Sequence, residues 1–245
     1  MKKDEVFRYI ATKVLREKLP GICPDQYVRQ IFRLKGQPKK MKRGKKEKSD
    51  FPERIDIFEI DTFESDKVDI TERFKNILNS PNVKSPFIIL ILESPHKNEF
   101  KGKIGPAKGN TGINIREHIW ENFRSRLVKF QNYHLILMNA IPFQCSFGVK
   151  TDSFRDAVFA TAWENDEIGK SFFGNRLGAL LGALGGKTVV IVNACTAGKS
   201  RKSNVTDAIL KQLDQGINEV WEVPHPSSRQ WCDGESINKI YPTES

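Results

Sequence analysis

Three side chains suited to a shared hydrolytic task stand just past strand-like runs: Glu93, Asn139 and His225. The first run delivers Glu93-Ser94-Pro95-His96, the second Asn139-Ala140-Ile141-Pro142, a third Asn193-Ala194-Cys195 and a fourth Pro224-His225-Pro226-Ser227-Ser228. A carboxylate offsets positive charge or orients water, a carboxamide reads a donor–acceptor edge, and an imidazole donates or accepts a proton near neutral pH. Each also has a structural reading: Glu93 as a cap partner or ion-paired rim charge, Asn139 as a partner for loop backbone, His225 as a structural histidine. Together they mark a pocket rim, because ligands of open α/β sheets bind beyond the carboxyl ends of the strands.

The runs that must position them are Phe87–Leu92, His134–Met138, Thr188–Val192 and Glu219–Val223. The first three are continuously apolar, the pattern of strands buried on both faces of a parallel sheet. Helix-like segments fit between them: 114–128, with Asn114 and Glu117 spaced as a capping box, then 172–184 and 205–213. The β-α alternation implies a three-layer α/β/α sandwich around a central, mainly four-stranded parallel sheet. Upstream, residues 4–18 read as a helix carrying Val6, Ile10, Val14 and Leu15 on one face, stopped by Leu19-Pro20-Gly21. A short helix through Tyr27, Ile31 and Phe32, an edge strand over 54–60, and a helix capped by Asp69 with Phe74, Ile77 and Leu78 are also expected. Residues 1–50 are thus expected to form an N-terminal helical extension, and 51–245 the α/β/α domain.

Composition narrows the class. A chain of 245 residues, 38% hydrophobic and 29% charged, can bury a core and is not of disordered type. No apolar run approaches the roughly 18–20 residues that span a bilayer, and the N-terminus lacks the apolar centre of a signal peptide, so a cytoplasmic location without membrane attachment is expected. The four cysteines, Cys23, Cys145, Cys195 and Cys232, include no CxxC pair, so free buried thiols are expected rather than a metal centre. The net charge of +10 points to a polyanionic partner, nucleic acid before membrane. Much of it sits in 35–48, where Lys39, Lys40, Lys42, Arg43, Lys45 and Lys46 are broken by Gly36, Pro38 and Gly44. Such a run repels itself and reads as a flexible segment, either a solvated linker or an arm that tracks phosphates.

The strand-end segments resemble motifs of the uracil-DNA glycosylase superfamily. Leu92-Glu93-Ser94-Pro95-His96 resembles its first motif, GQDPYH in the common type, and is closer to the GEAPG of the thermophile iron–sulfur type. Pro106-Ala107-Lys108-Gly109-Asn110-Thr111-Gly112 is similar to the PFVGRAG segment that follows there, with its proline and both glycines in register. His225-Pro226-Ser227 matches the final H-P-S, and Asn139 matches a base-reading asparagine at a strand end. The resemblance spans about Phe87 to Trp231, and residues 1 to about 50 have no counterpart in it.

The resemblance implies a DNA glycosylase-like fold and activity: a base rotated out of DNA into a pocket, and a glycosidic bond broken through a sugar cation. It implies that Glu93 lies below the sugar, that His225 donates to the base oxygen where negative charge grows, and that Asn139 holds the pairing edge. Ser94, Pro95, His96, Ala107, Gly109, Asn110 and Ser227 would line the substrate site, with backbone amides of 105–112 cradling phosphate or base oxygens. Ser228, Arg229, Gln230 and Trp231 would form the loop that fills the gap left by the base.

Three departures from the family pattern bear on the substrate. Ser94 replaces the aspartate of the common type, His96 its tyrosine wall, and Ala107 the stacking aromatic of the iron–sulfur type. A wider pocket is therefore expected, for a pyrimidine enlarged at its 5-position such as the hypermodified bases of bacteriophage DNA, in a defence role. No cofactor and no metal are expected, since the CxxC of the iron–sulfur type is missing, and the protein is expected to act on DNA as a monomer. Rival readings are a repair enzyme for uracil or deaminated bases, a catalytically silent DNA-binding protein, and a metal-dependent nuclease, for which clustered carboxylates are lacking.

Overall fold

The computed structural model describes residues 3–18, 87–95, 107, 110–115, 118, 134–143, 145, 151–196, 198–234 and 236–242. Expectations for the short helix near 27–32, the basic run at 35–48, the strand at 54–60 and the helix at 69–78 lie outside these residues, as do His96 and Gly109.

Four parallel strands form the sheet that the apolar runs imply: β1 (Phe87–Leu92), β2 (His134–Asn139), β3 (Val189–Asn193) and β4 (Glu219–Glu222). A fifth, β5 (Asn238–Tyr241), joins β4 antiparallel, so the order is β2-β1-β3-β4-β5. All residues of β1 and β3 are buried. Successive strand side chains point to opposite faces, so both faces of the sheet centre are covered, as in a layered α/β protein. β5 was not expected. It is a short, partly exposed edge with a register irregularity at Val220/Trp221, and its sequence, Asn-Lys-Ile-Tyr, carries no apolar run.

The helices are α1 (Lys3–Lys18), α2 (Thr151–Trp163), α3 (Lys170–Leu184), α4 (Arg201–Leu210) and the short α5 (Arg229–Asp233). α1 is no outlying extension. Val6, Phe7, Ile10, Ala11 and Val14 enter the same core as the sheet, Phe7 stacks on Phe143 at 4.7 Å, and α1 packs against the unexpected α2. Burying side chains of this kind contributes about 1.5–3 kcal/mol each, which is why residues 3–18 belong to the domain expected to begin at 51. α4 starts a turn earlier than expected, after a 3-10 turn at Gly198–Ser200 in which Ser200 has φ 62°. Residues 110–115 are already helical, so Asn114 lies inside a helix and is not its cap. No helix among the described residues is long and apolar enough to cross a membrane.

Strand register levels the carboxyl ends. Leu92 pairs with Asn139, Ile91 with Asn193, and Asn193 with Glu222. The ladder continues past the strands through Ala140 N to Leu92 O, Ile141 N to Glu93 O, Ala194 N to Ile91 O and Val223 N to Asn193 O, at 2.7–3.0 Å. β1 is flanked by β2 on one side and β3 on the other, so the order of strands reverses there, the point at which ligands of such sheets commonly bind.

Candidate functional site

Glu93, one residue past β1, is 4% exposed. Its Oε1 accepts a hydrogen bond from Thr196 Oγ1 at 2.7 Å and lies 2.5 Å from Arg201 Nε. The Nε hydrogen of Arg201 is not aimed along that line, so the contact is an ion pair rather than a well-formed hydrogen bond. The same guanidinium pairs with Asp156 of α2 and donates to Thr196 Oγ1 at 2.7 Å. Gly198 leaves room for it, since a Cβ there would stand 2.7 Å from Arg201 Nη2. The ion-paired reading of Glu93 therefore holds, and it fixes the carboxylate in place at the β1–β3 switch.

Two asparagines end strands and behave differently. Asn193 is fully buried and satisfied: its Nδ2 donates to Lys202 O and Thr206 Oγ1 at 2.9 Å, and its Oδ1 accepts from Cys195 N at 3.0 Å. Asn139 is 7% exposed, and its buried Oδ1 has no hydrogen-bond partner. A buried acceptor without a donor costs about 1–3 kcal/mol, and such groups are rare in folded proteins. Behind Asn139, Arg176 of α3 donates through Nη2 to the carbonyls of Asn139 and Ala140, both at 2.8 Å.

His225 follows β4 in a tight turn. The backbone N–H of Ser227 donates to His225 Nδ1 at 3.1 Å, and Ser227 Oγ lies 2.8 Å from the same atom. Since Nδ1 accepts from a backbone amide, the neutral ring carries its hydrogen on Nε2. His225 O accepts from Ser228 N and Ser228 Oγ, at 2.8 and 2.7 Å. Ser228 then caps α5 by accepting from Trp231 N. This segment is a capped helix, not the open loop expected. Trp231 is 1% exposed, with Nε1 donating to Asn114 O at 3.1 Å, so it anchors the turn and is no wedge. Arg229 and Gln230 remain exposed.

The helical segment 110–115 is pinned to this turn, because Asn114 Nδ2 donates to Pro226 O at 2.6 Å. Ala107 is buried with φ 44°, a left-handed conformation for a non-glycine residue. A Cβ at Gly112 would stand 1.7 Å from Ala107 O, so only glycine fits there. Asn110 is exposed, Ser94 half-buried and Pro95 buried.

Arg201, Asp156, Thr196, Arg176 and Lys202 were not singled out from sequence. Lys202 Nζ donates to Val223 O, two residues before His225, and burial lowers its pKa against the pull of Glu222, Cys195 and Glu93. Burial, then the charge of Glu93, pushes the Cys195 thiol up, which keeps it protonated and a poor nucleophile. Arg176 left a signal: it falls on the stripe of Phe172, Phe173, Leu177, Leu180, Leu181 and Leu184 that α3 buries. Among the described residues, no cluster of three or more His, Cys, Asp or Glu could hold a metal ion, and Cys195 and Cys232 are free thiols. No protein family, curated protein or solved structure matches the chain.

Proposed function

We propose that the protein is a DNA glycosylase that hydrolyses the bond between a flipped-out pyrimidine and its deoxyribose, leaving an abasic site. The observation that carries this reading is the contrast between the two strand-end asparagines: Asn193 is satisfied by the fold, whereas Asn139 keeps a buried acceptor without a donor. A pyrimidine N–H is a donor of the right kind. The tautomer of His225 supports the same reading, because an Nε2–H can donate to a base oxygen as negative charge collects there.

In this reading the C1′–N bond breaks heterolytically and its electron pair leaves with the base. Glu93 supplies fixed negative charge beneath the sugar cation. Its Oε1 is engaged by Thr196 and Arg201, which suits electrostatic stabilisation better than proton abstraction. Water adds to C1′ and loses its proton to solvent. The base proposed is a pyrimidine enlarged at the 5-position, as in bacteriophage DNA, because Ala107 stands where the family stacks an aromatic. Plain uracil or a deaminated base is the alternative substrate. Arg229 and Gln230, with the lysines of 35–48, are proposed to meet the DNA backbone.

A second reading, a catalytically silent DNA-binding protein, draws on the same engagement of Glu93 by Arg201. Incubation with duplex and single-stranded oligonucleotides carrying uracil or 5-modified pyrimidines, with EDTA present, separates the two. Mass spectrometry should find free base, and alkali should cleave the strand at the abasic site. Tight binding without released base would favour the silent reading, and metal-dependent strand breakage would overturn both.

A further inference from the structure

Arg176 is 2% exposed, and no carboxylate among the described residues pairs with it. Its Nη2 is shared between the carbonyls of Asn139 and Ala140, while Nε and Nη1 are buried without hydrogen-bond partners. Phe172 and Phe173 lie 4.9 and 6.0 Å from the guanidinium, so the charge is partly balanced by aromatic faces. Burial lowers its pKa to about 9, and the group is still cationic at neutral pH. A leucine at this point of the apolar stripe of α3 would avoid the desolvation of a charge with two idle donors. Local rules broken in this way are expected where function requires it.

We propose that Arg176 is a positioning residue that sets the peptide bearing Asn139 and places an unpaired positive charge behind the base-reading amide, stabilising the anionic pyrimidine as it departs. The inference rests on the glycosylase reading. It concerns the term that grows only as the C1′–N bond breaks, so it acts on kcat rather than on substrate binding. The charge lies one residue's reach from any base held by the Asn139 carboxamide, and the surrounding core screens it weakly. A unit charge about 8 Å away at an effective dielectric near 20 corresponds to roughly 30-fold in rate.

The test compares wild type, Arg176→Lys and Arg176→Gln in single-turnover release from oligonucleotides carrying two size-matched pairs of bases: uracil with 5-fluorouracil, and 5-hydroxymethyluracil with 5-formyluracil. The second member of each pair is the more acidic leaving group and needs less help. Gln keeps a donor for the carbonyls and removes the charge, whereas Lys keeps the charge. Arg176→Gln should lose up to roughly 30-fold on the poorer leaving group, whose later transition state carries more negative charge on the base, and less on the better one, with Arg176→Lys close to wild type. An equal loss across each pair, or the same loss in Lys and Gln, would overturn the role of Arg176 and leave the glycosylase reading standing. No base released by wild type from any of the four would overturn both. Should thermal melting show that Arg176→Gln does not fold, Arg176→Lys decides: a changed ratio within a pair would refute the charge-based role.

Discussion

Arg201→Met tests the buried ion-pair network at the β1–β3 switch. Arg201 is 3% exposed and faces two buried carboxylates, Glu93 at 4% and Asp156 at 8% exposure. It contacts Glu93 at 2.5 Å, pairs with Asp156 and donates to Thr196 Oγ1 at 2.7 Å. A methionine fills similar length with no charge, so both carboxylates lose this cation while staying buried. Removing one partner of a buried pair costs about 3–5 kcal/mol, chiefly through the charge left behind and not through the net worth of the pair. At about 2–4 °C per kcal/mol for a chain of this size, the melting temperature should fall by roughly 6–20 °C. Urea unfolding should show a lower midpoint at an unchanged slope, the sign of lost stability rather than an altered unfolded state. Adding Asp156→Asn removes one of the two carboxylates that lose this cation and should recover about 1–3 kcal/mol, so the two substitutions should be strongly non-additive. An unfolding free energy within about 1 kcal/mol of wild type, or simple additivity with Asp156→Asn, would refute the reasoning.

Two further outcomes follow from the site geometry. His225→Ala removes the Nε2–H that the Ser227 amide enforces; under the glycosylase proposal, kcat for base release should drop about 10²–10³-fold with little change in KM, and an equal effect on KM would assign His225 to binding. Gly112→Ala forces a Cβ to within 1.7 Å of Ala107 O, so backbone must move. A cost of about 1–3 kcal/mol or more is expected in urea unfolding, and an unchanged midpoint would show that 107 and 112 do not approach so closely.

The β1, β2 and β3 runs could be read because strands covered on both faces are apolar at every position, and that signal is local. With their order came the carboxyl-end residues, since parallel topology places Glu93, Asn139 and His225 on one rim of the sheet. Some local signals went unused: Ser228 before Arg229-Gln230-Trp231, with Gly234 after, is a cap-to-cap helix signature, and Arg176 is a charge on an apolar stripe. β5 left little to read, because a short edge strand that is only partly buried needs no apolar run.

The sequence by itself determined the parallel sheet and which polar residues stand at its carboxyl ends, because strand burial and strand-end position are written in neighbouring residues. The tertiary structure alone decided what those residues do there. Glu93 meets Thr196 across 103 positions, Arg201 meets Asp156 across 45, and Arg176 meets Asn139 across 37. Ion pairs and hydrogen bonds act through space between segments that only packing brings together, so no periodicity or spacing announces them. The same holds for the orphaned Oδ1 of Asn139: a missing partner is a property of the folded neighbourhood and has no trace in the order of the residues.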